Sequence, residues 1–422
     1  MEKQVGSFAA FIGIDWADEQ HQVCVLAASE LVPDEYSLDH EPEAIQDWAQ
    51  KTRERFGGRM VAVCLEQSRG ALIFALQKYD FLVLFPLNPK QLARYREALS
   101  PGGAKNDPVD ARRLAEFVRS FHDQMRCWRP DDELSRSLRL LCESRRKLVN
   151  QRTAVGQQLR QALKDFFPMA LKLLDGQSLH SPWFLKLLEK FPTLKDLQRA
   201  SPRTLERHFP HRRVTVDDAG DPRIVLIRGA LPLITDPALI LAGRLMVQSL
   251  VPMLVQLNQA VKLYDSQIET LLNKHPDSSL IRSFPGAAEA MAPRLIAALG
   301  TDRERFSDPV ELQEMSGIAP VTQQSGKSRQ VRRRYACPKF LRQTFHEFAD
   351  HSRKRSEWAS AFYKMRREAG HGHHAAIRAL AFKWIRIIFR CWKTNSPYDE
   401  RKYIQHLRDK QSPILKFLPA SA

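Results

Sequence analysis

Four acidic residues stand in settings that suit metal-assisted phosphoryl transfer. Asp15 closes the apolar run Phe11-Ile12-Gly13-Ile14-Asp15, and Glu66 closes Val61-Ala62-Val63-Cys64-Leu65-Glu66. Asp107 and Asp110 lie in Lys105-Asn106-Asp107-Pro108-Val109-Asp110-Ala111. The first two runs predict buried strands whose last residue is a carboxylate. The third predicts a loop entering a helix. Converging carboxylates repel one another unless cations lie between them, and hard oxygen donors suit Mg²⁺. Two such ions, about 3.5–4 Å apart, clamp the attacking and leaving oxygens of a phosphodiester.

Each acid also has a plainer reading. Asp107 is a favoured N-cap, Pro108 a favoured first helical residue, and Asp110 a carboxylate that suits the helix dipole. A strand-end acid can simply emerge into solvent. A carboxylate closing a buried strand is nevertheless unfavourable unless paired or metal-bound. The combination of all four therefore favours a metal site.

A second candidate is Ser325, in Ile318-Ala319-Pro320-Val321-Thr322-Gln323-Gln324-Ser325-Gly326-Lys327-Ser328-Arg329. Gly326 lets the backbone approach a phosphate closely, and Lys327 and Arg329 can hold anionic oxygens. A serine hydroxyl is a poor nucleophile until deprotonated or metal-activated, and most Ser-Gly steps are only turns. Arg332-Arg333-Arg334 reads as a solvated charge run or as phosphate contacts; the basic chain favours contacts. His371-Gly372-His373-His374 has metal-binding spacing, but no Cys or second His cluster completes a site, so it reads as a helix-start loop.

Positioning these residues requires three regions. Residues 8–130 read as α/β, with strands at Ala9–Asp15, Gln22–Ala27, Met60–Leu65 and Phe81–Pro86, the first two as an antiparallel hairpin. Amphipathic Glu43–Phe56, Gly70–Lys78 and Asp107–Ser120 read as helices. Residues 131–278 hold two long helical stretches, Leu134–Phe167 and Leu241–Leu272, with an insertion between them. That pattern predicts an antiparallel coiled coil or bundle arm. Residues 279–395 read as helical and basic, with ten Lys or Arg against two acids from Lys327 to Arg355. Leu280–Ala288 followed by Ala292–Gly300 reads as a helix-hairpin-helix, its Pro285-Gly286 turn expected to present N–H groups to phosphate. Residues 396–422 read as a loosely held polar tail.

The whole chain is consistent with this chemistry. Its 422 residues exceed one core, and 65 Lys and Arg against 48 Asp and Glu give a formal charge of +17. Such a balance favours a polyanionic partner, though it does not separate enzymes from structural nucleic-acid binders. The six cysteines form no CxxC pair, and most read as buried thiols of a reducing cytoplasm. The N-terminal residues do not read as a signal peptide, and no apolar run is expected to span a membrane. The sequence thus predicts a soluble protein.

Taken together, these residues resemble the IS110/IS1111 family of insertion-sequence transposases, also called bridge-RNA-guided recombinases. The resemblance covers almost the whole chain. The Asp-Glu-Asp-Asp set matches Asp15, Glu66, Asp107 and Asp110, and Lys105-Asn106-Asp107-Pro108-Val109-Asp110-Ala111 matches the family's Lys-x-Asp-x-x-Asp-Ala motif. Phe284-Pro285-Gly286, Arg305-Phe306-Ser307-Asp308, Ser316-Gly317-Ile318-Ala319-Pro320 and Ser325-Gly326-Lys327 match its C-terminal domain. The resemblance implies an RNase H-like (RuvC-like) α/β N-terminal domain, a coiled-coil middle and a mainly α-helical C-terminal transposase domain. It implies Mg²⁺ on the four acids, Ser325 as nucleophile, and a phosphoserine link to DNA. Donor and target DNA, a noncoding guide RNA and a tetramer are the implied partners. In that tetramer the metal site of one subunit faces the serine of another. The location implied is the bacterial cytoplasm, on the nucleoid when active. Lys105, Lys327, Arg329, Arg332, Arg333 and Arg334 are the expected nucleic-acid contacts. The residues from about 167 to 241 exceed what compact members have. Two other readings are a RuvC-like junction nuclease that uses a metal-activated water, and a non-enzymatic nucleic-acid scaffold.

Overall fold

The computed structural model describes residues 8–28, 30, 32–66, 70–99, 107–210, 221–326 and 328–419. Contacts divide the chain into two compact units, 1–130 and 131–422.

The first unit is built on a sheet of order β3-β2-β1-β4-β5. Its strands are β1 (Ala10–Asp15), β2 (Gln20–Ala27), β3 (Asp34–Asp39), β4 (Val61–Leu65) and β5 (Leu82–Pro86). β1 pairs antiparallel with β2, as anticipated, and parallel with β4; β4 pairs parallel with β5. The central strands are apolar on both faces because helices cover both. Val61, Val63 and Leu65 share one core with Ile45, Trp48, Leu72 and Ile73, from α1 (Pro42–Arg55) and α2 (Ala71–Leu76). Ala62 and Cys64 face the other way, toward Leu92 of α3 (Pro89–Leu99) and Leu114 and Val118 of α4 (Asp107–Phe121). This mixed α/β architecture is compatible with the RNase H-like expectation. β3 and α3 were not anticipated. β3 is an edge strand with Leu38 as its one buried residue, so its sequence carries little apolar pattern.

The second unit is helical. α5 (Glu133–Phe166) and α11 (Pro237–Lys274) lie antiparallel. Ser135 meets His275, Arg145 meets Asp265, and Arg152 meets Asn258. The buried side of α11 runs Val247, Leu250, Leu254, Val261, Ile268, Leu272, the three-, four- and seven-residue spacing of a packed seam. Between the two long helices come α6 (Pro168–Lys172), α7 (Pro182–Lys190), α8 (Leu194–Arg199), α9 (Pro202–Glu206) and α10 (Pro222–Arg228). They form a separate small core on Phe166, Val247 and Leu250. The expectation of no membrane-length apolar run needs correction. α11 is long and apolar enough to cross a membrane by length and composition; its seam against α5 and the small core of α6–α10 account for the buried part of that apolarity.

Beyond the pair lie α12 (Ser278–Arg282), α13 (Ala292–Leu299), α14 (Pro309–Met315), strands β6 (Val321–Ser325) and β7 (Ser328–Arg332), α15 (Lys339–Ser352), α16 (Glu357–Glu368), α17 (His373–Lys393) and α18 (Glu400–Asp409). Apart from the exposed β6–β7 hairpin, they share one core with Leu138, Cys142, Ile268 and Leu272 of the pair, built on Trp358, Trp384, Trp392, Phe345 and Phe348. The Pro285-Gly286 turn is not open on every side. A Cβ on Gly286, at φ +88°, would lie 3.0 Å from the Ser352 backbone N, so the turn is packed on the end of α15. The residues after 395 are not loosely held either: Ile404, Leu407 and Ile414 are buried, and Tyr398 OH accepts from Trp358 Nε1 at 2.7 Å.

Candidate metal centre and nucleophile hairpin

β1 and β4 end side by side. Their parallel register pairs Ile14 with Leu65, so Asp15 and Glu66 are the next residues on neighbouring strands, which run about 4.8 Å apart. Side chains alternate along a strand, so Asp15 shares the face of Gly13, and Glu66 the face of Ala62 and Cys64. That face is the one covered by α4. Gly13 is what lets the helix come close: a Cβ there would lie 1.9 Å from Ala111 O and 2.5 Å from Ala115 N. The first turn of α4 is thereby pressed against β1 two residues before Asp15. Asp110 sits in that turn and is 3% exposed. Asp15 and Glu66 are half-buried.

Two features tune this edge. Arg96, on α3, donates from Nη1 to Asp110 Oδ2 at 2.8 Å. This cation was missed in the sequence, because α3 itself was not assigned. His21 holds the turn that leaves Asp15. Ala17 N–H donates to His21 Nδ1 at 3.2 Å, and Nε2 lies 2.9 Å from His40 Nδ1. Burial first, and then His40, hold the His21 pKa below its usual value. On Cys64, burial and next the adjacent Glu66 push the thiol pKa up, so it remains protonated and apolar beneath the acids.

The donor chemistry of this edge, carboxylates alone, fits a hard divalent cation. Among the described residues, no group of three or more His, Cys, Asp or Glu is placed to hold one ion. The structure thus brings Asp15, Glu66 and Asp110 to one sheet face. Asp107 opens α4, while its side chain and Lys105 fall outside the described residues.

Ser325 ends β6 of an antiparallel hairpin and pairs in register with Ser328. The sequence predicted a loop in a helical region; only Val321 and Val331 are apolar, too few to display a strand alternation. Gly326 sits at the tip at φ +54°, and a Cβ there would meet nothing within 4 Å. Ser325, Arg329, Arg332 and Arg333 are exposed; Lys327 lies outside the described residues. The base of the hairpin is anchored. A Cβ on Gly317, at φ +69°, would lie 2.1 Å from Cys337 Sγ, and Arg334 pairs with Glu314 at 3.1 Å. Next to that base, α17 carries Arg378, Lys383 and Arg386, which the sequence reading passed over. Their recurrence on one helical face, interleaved with Ala379 and Phe382, was the signal available.

The chain matches known proteins over both units. Residues 12–168 match the family model DEDD_Tnp_IS110, described as a transposase, and residues 278–364 match that of the Transposase IS116/IS110/IS902 family. The mini-circle protein of Streptomyces coelicolor assigned as the transposase for IS117 is 27% identical, over 94% of this chain and 97% of its own length. The uncharacterized 43.6 kDa protein of insertion element IS110 from the same organism is 26% identical over 93% of this chain and 96% of its own. A matched domain named for its Asp-Glu-Asp-Asp set points to dependence on a divalent metal. Both family matches, with relatives aligned over almost the whole chain, identify the chain as a member of the IS110 family of transposases.

Proposed function

We propose that this transposase cuts and exchanges DNA strands by attack of the Ser325 hydroxyl on a phosphodiester, with Mg²⁺ held by Asp15, Glu66, Asp107 and Asp110. In this reading residues 8–130 are the metal-binding domain, 131–278 the helical arm and 279–395 the serine-bearing domain. Mg²⁺, when bound, stabilises charge on the phosphoryl oxygens and lowers the pKa of an oxygen ligand. The Ser325 Oγ loses its proton and bonds to phosphorus. The 3′ oxygen leaves with the bonding pair and takes a proton, so the products are a phosphoserine link and a free 3′-OH. Arg329 and Arg332, on the strand paired with β6, hold and orient flanking phosphates.

The observation that carries this reading is the exposure of Ser325 beside unhindered Gly326, at the tip of a basic hairpin. A noncoding guide RNA would pair with donor and target DNA while the protein holds backbone, and the charge of +17 supports two polyanionic partners. A tetramer would supply acids from one copy and serine from another. The test traps protein–DNA adducts and maps the linked residue by mass spectrometry. Ser325→Ala should abolish both adduct and recombination while retaining DNA binding. An adduct on Ser328 or Tyr335, or full activity in S325A, would sink the assignment; recombination with no adduct at all would point to a water-driven nuclease. Sequencing RNA that copurifies with the protein tests the guide.

A further inference from the structure

A cleft of about 740 Å³ opens between the base of the β6–β7 hairpin and α17. Arg332 and Arg333 form one side. On α17, residues Ala375, Arg378, Ala379, Phe382, Lys383 and Arg386 line the other. Their offsets of three, four, seven, eight and eleven residues place them on one helical face. Phe362 and Phe382 supply an apolar floor, and Lys383 Nζ sits 5.2 Å from the Phe362 ring centre. Among the described residues lining the cleft, none is acidic.

Apart from Arg334, which pairs with Glu314, the cations crowd with no acid among the described residues of the lining. Burial first, and then Arg333, hold the Arg378 pKa down; burial and then Arg386 do the same for Lys383. Arg366, also in the lining, has its Nε buried without a hydrogen-bond partner among the described residues. Crowded, partly desolvated cations cost free energy that a polyanion would offset. An aromatic floor asks for more than phosphate. A duplex keeps its base faces stacked inside, whereas an unpaired strand offers them to aromatic side chains.

We infer that this cleft binds an unpaired stretch of nucleic acid, with phosphates on Arg332, Arg378, Lys383 and Arg386 and a base on Phe382. The inference rests on the nucleic-acid reading above and deepens it: the cleft and Ser325 are joined by one hairpin, so a strand held at its base leads toward its tip.

The test uses the full chain and a fluorescein-labelled oligonucleotide, single-stranded or annealed into duplex, with anisotropy followed over a KCl titration. R378Q/K383Q should weaken single-strand binding and reduce the slope of log affinity against log salt by about 1.4, at about 0.7 per lost phosphate contact. F382A should weaken single-strand binding by about fivefold or more, as for loss of one stacked base, and leave the salt slope unchanged. F382L keeps an apolar side chain without the aromatic face, so it should weaken binding in the same direction if F382A melts early. Duplex affinity should move by less than about twofold in the Phe382 variants. Equal losses on single strand and duplex, or unchanged single-strand affinity in R378Q/K383Q or F382L, would overturn the assignment. If the parent protein binds neither probe, the nucleic-acid reading itself fails; if the parent binds and the variants match it, only the cleft fails.

Discussion

Asp15 and Asp110 carry the same functional group in different surroundings. Asp15 is half-buried at a strand end, whereas Asp110 is buried and ion-paired to Arg96. Asp15→Asn should abolish strand exchange in Mg²⁺ with the fold retained, read by recombination and near-UV circular dichroism; normal recombination would remove the metal-site reading. Asp110→Asn should abolish exchange and also cost about 1.5–3 kcal/mol, the worth of a hydrogen bond to a charged group. Arg96→Gln should cost a similar amount, and the double variant little more, because both remove one interaction. Additive losses in thermal melts would mean that the pair does not stabilise the unit. The four acids were legible as residues because carboxylates at the ends of apolar runs are rare without a reason. Arg96 was not, since nothing local links it to an acid fourteen residues away.

At the scale of elements, the acids depend on α4 lying against β1, and that contact depends on Gly13. Gly13→Ala would drive a methyl into the backbone of α4, and backbone cannot rotate away as a side chain can. We expect a loss exceeding the about 1–3 kcal/mol typical of overpacking, with strand exchange lost even though no acid is changed. A parent-like melting temperature in G13A would show that α4 can shift without cost. The long helices, the β1–β2 hairpin and the central parallel strands were legible because apolar periodicity is strong in elements buried along their length. β3, β6 and β7 were not: an edge strand and an exposed hairpin bury too few side chains to leave a pattern. Their pairing partners, rather than their own residues, define them.

Across the whole molecule, charge and buried histidines set the response to conditions. Neutralising Arg332, Arg333 and Arg334 together should weaken nucleic-acid binding about equally across sequences and flatten its salt dependence. Unchanged binding over a salt titration would make the run a solvated face. His21, His180, His275 and His346 all have pKa values lowered by burial first. Each is favoured neutral in the fold, while in the unfolded chain it titrates near 6.5. Their contribution to stability is therefore present above about pH 6.5 and is lost as pH falls through the folded values. The melting temperature should fall as pH is lowered from 7 to 5. His275 bridges the α5–α11 pair through Ser135 Oγ at 2.9 Å, so His275→Gln should flatten that dependence. A pH-independent melting temperature over this range would remove the argument.

What the sequence determined by itself was local: which residues are acidic at strand ends, where long amphipathic helices run, which motifs match a transposase family, and that the partner is a polyanion. Each of these is written in nearest neighbours, periodicity or summed charge. What only the tertiary structure decided was juxtaposition. The parallel register sets Asp15 beside Glu66, Gly13 admits α4 and so brings Asp110 to their face, and one side of the Pro285-Gly286 turn lies against α15. The cations of α17 meet those of β7 because Ile318 and Leu341, which flank the hairpin, enter the core that α17 also enters. Such meetings join residues far apart in the chain, and their energy comes from packing that no single segment encodes.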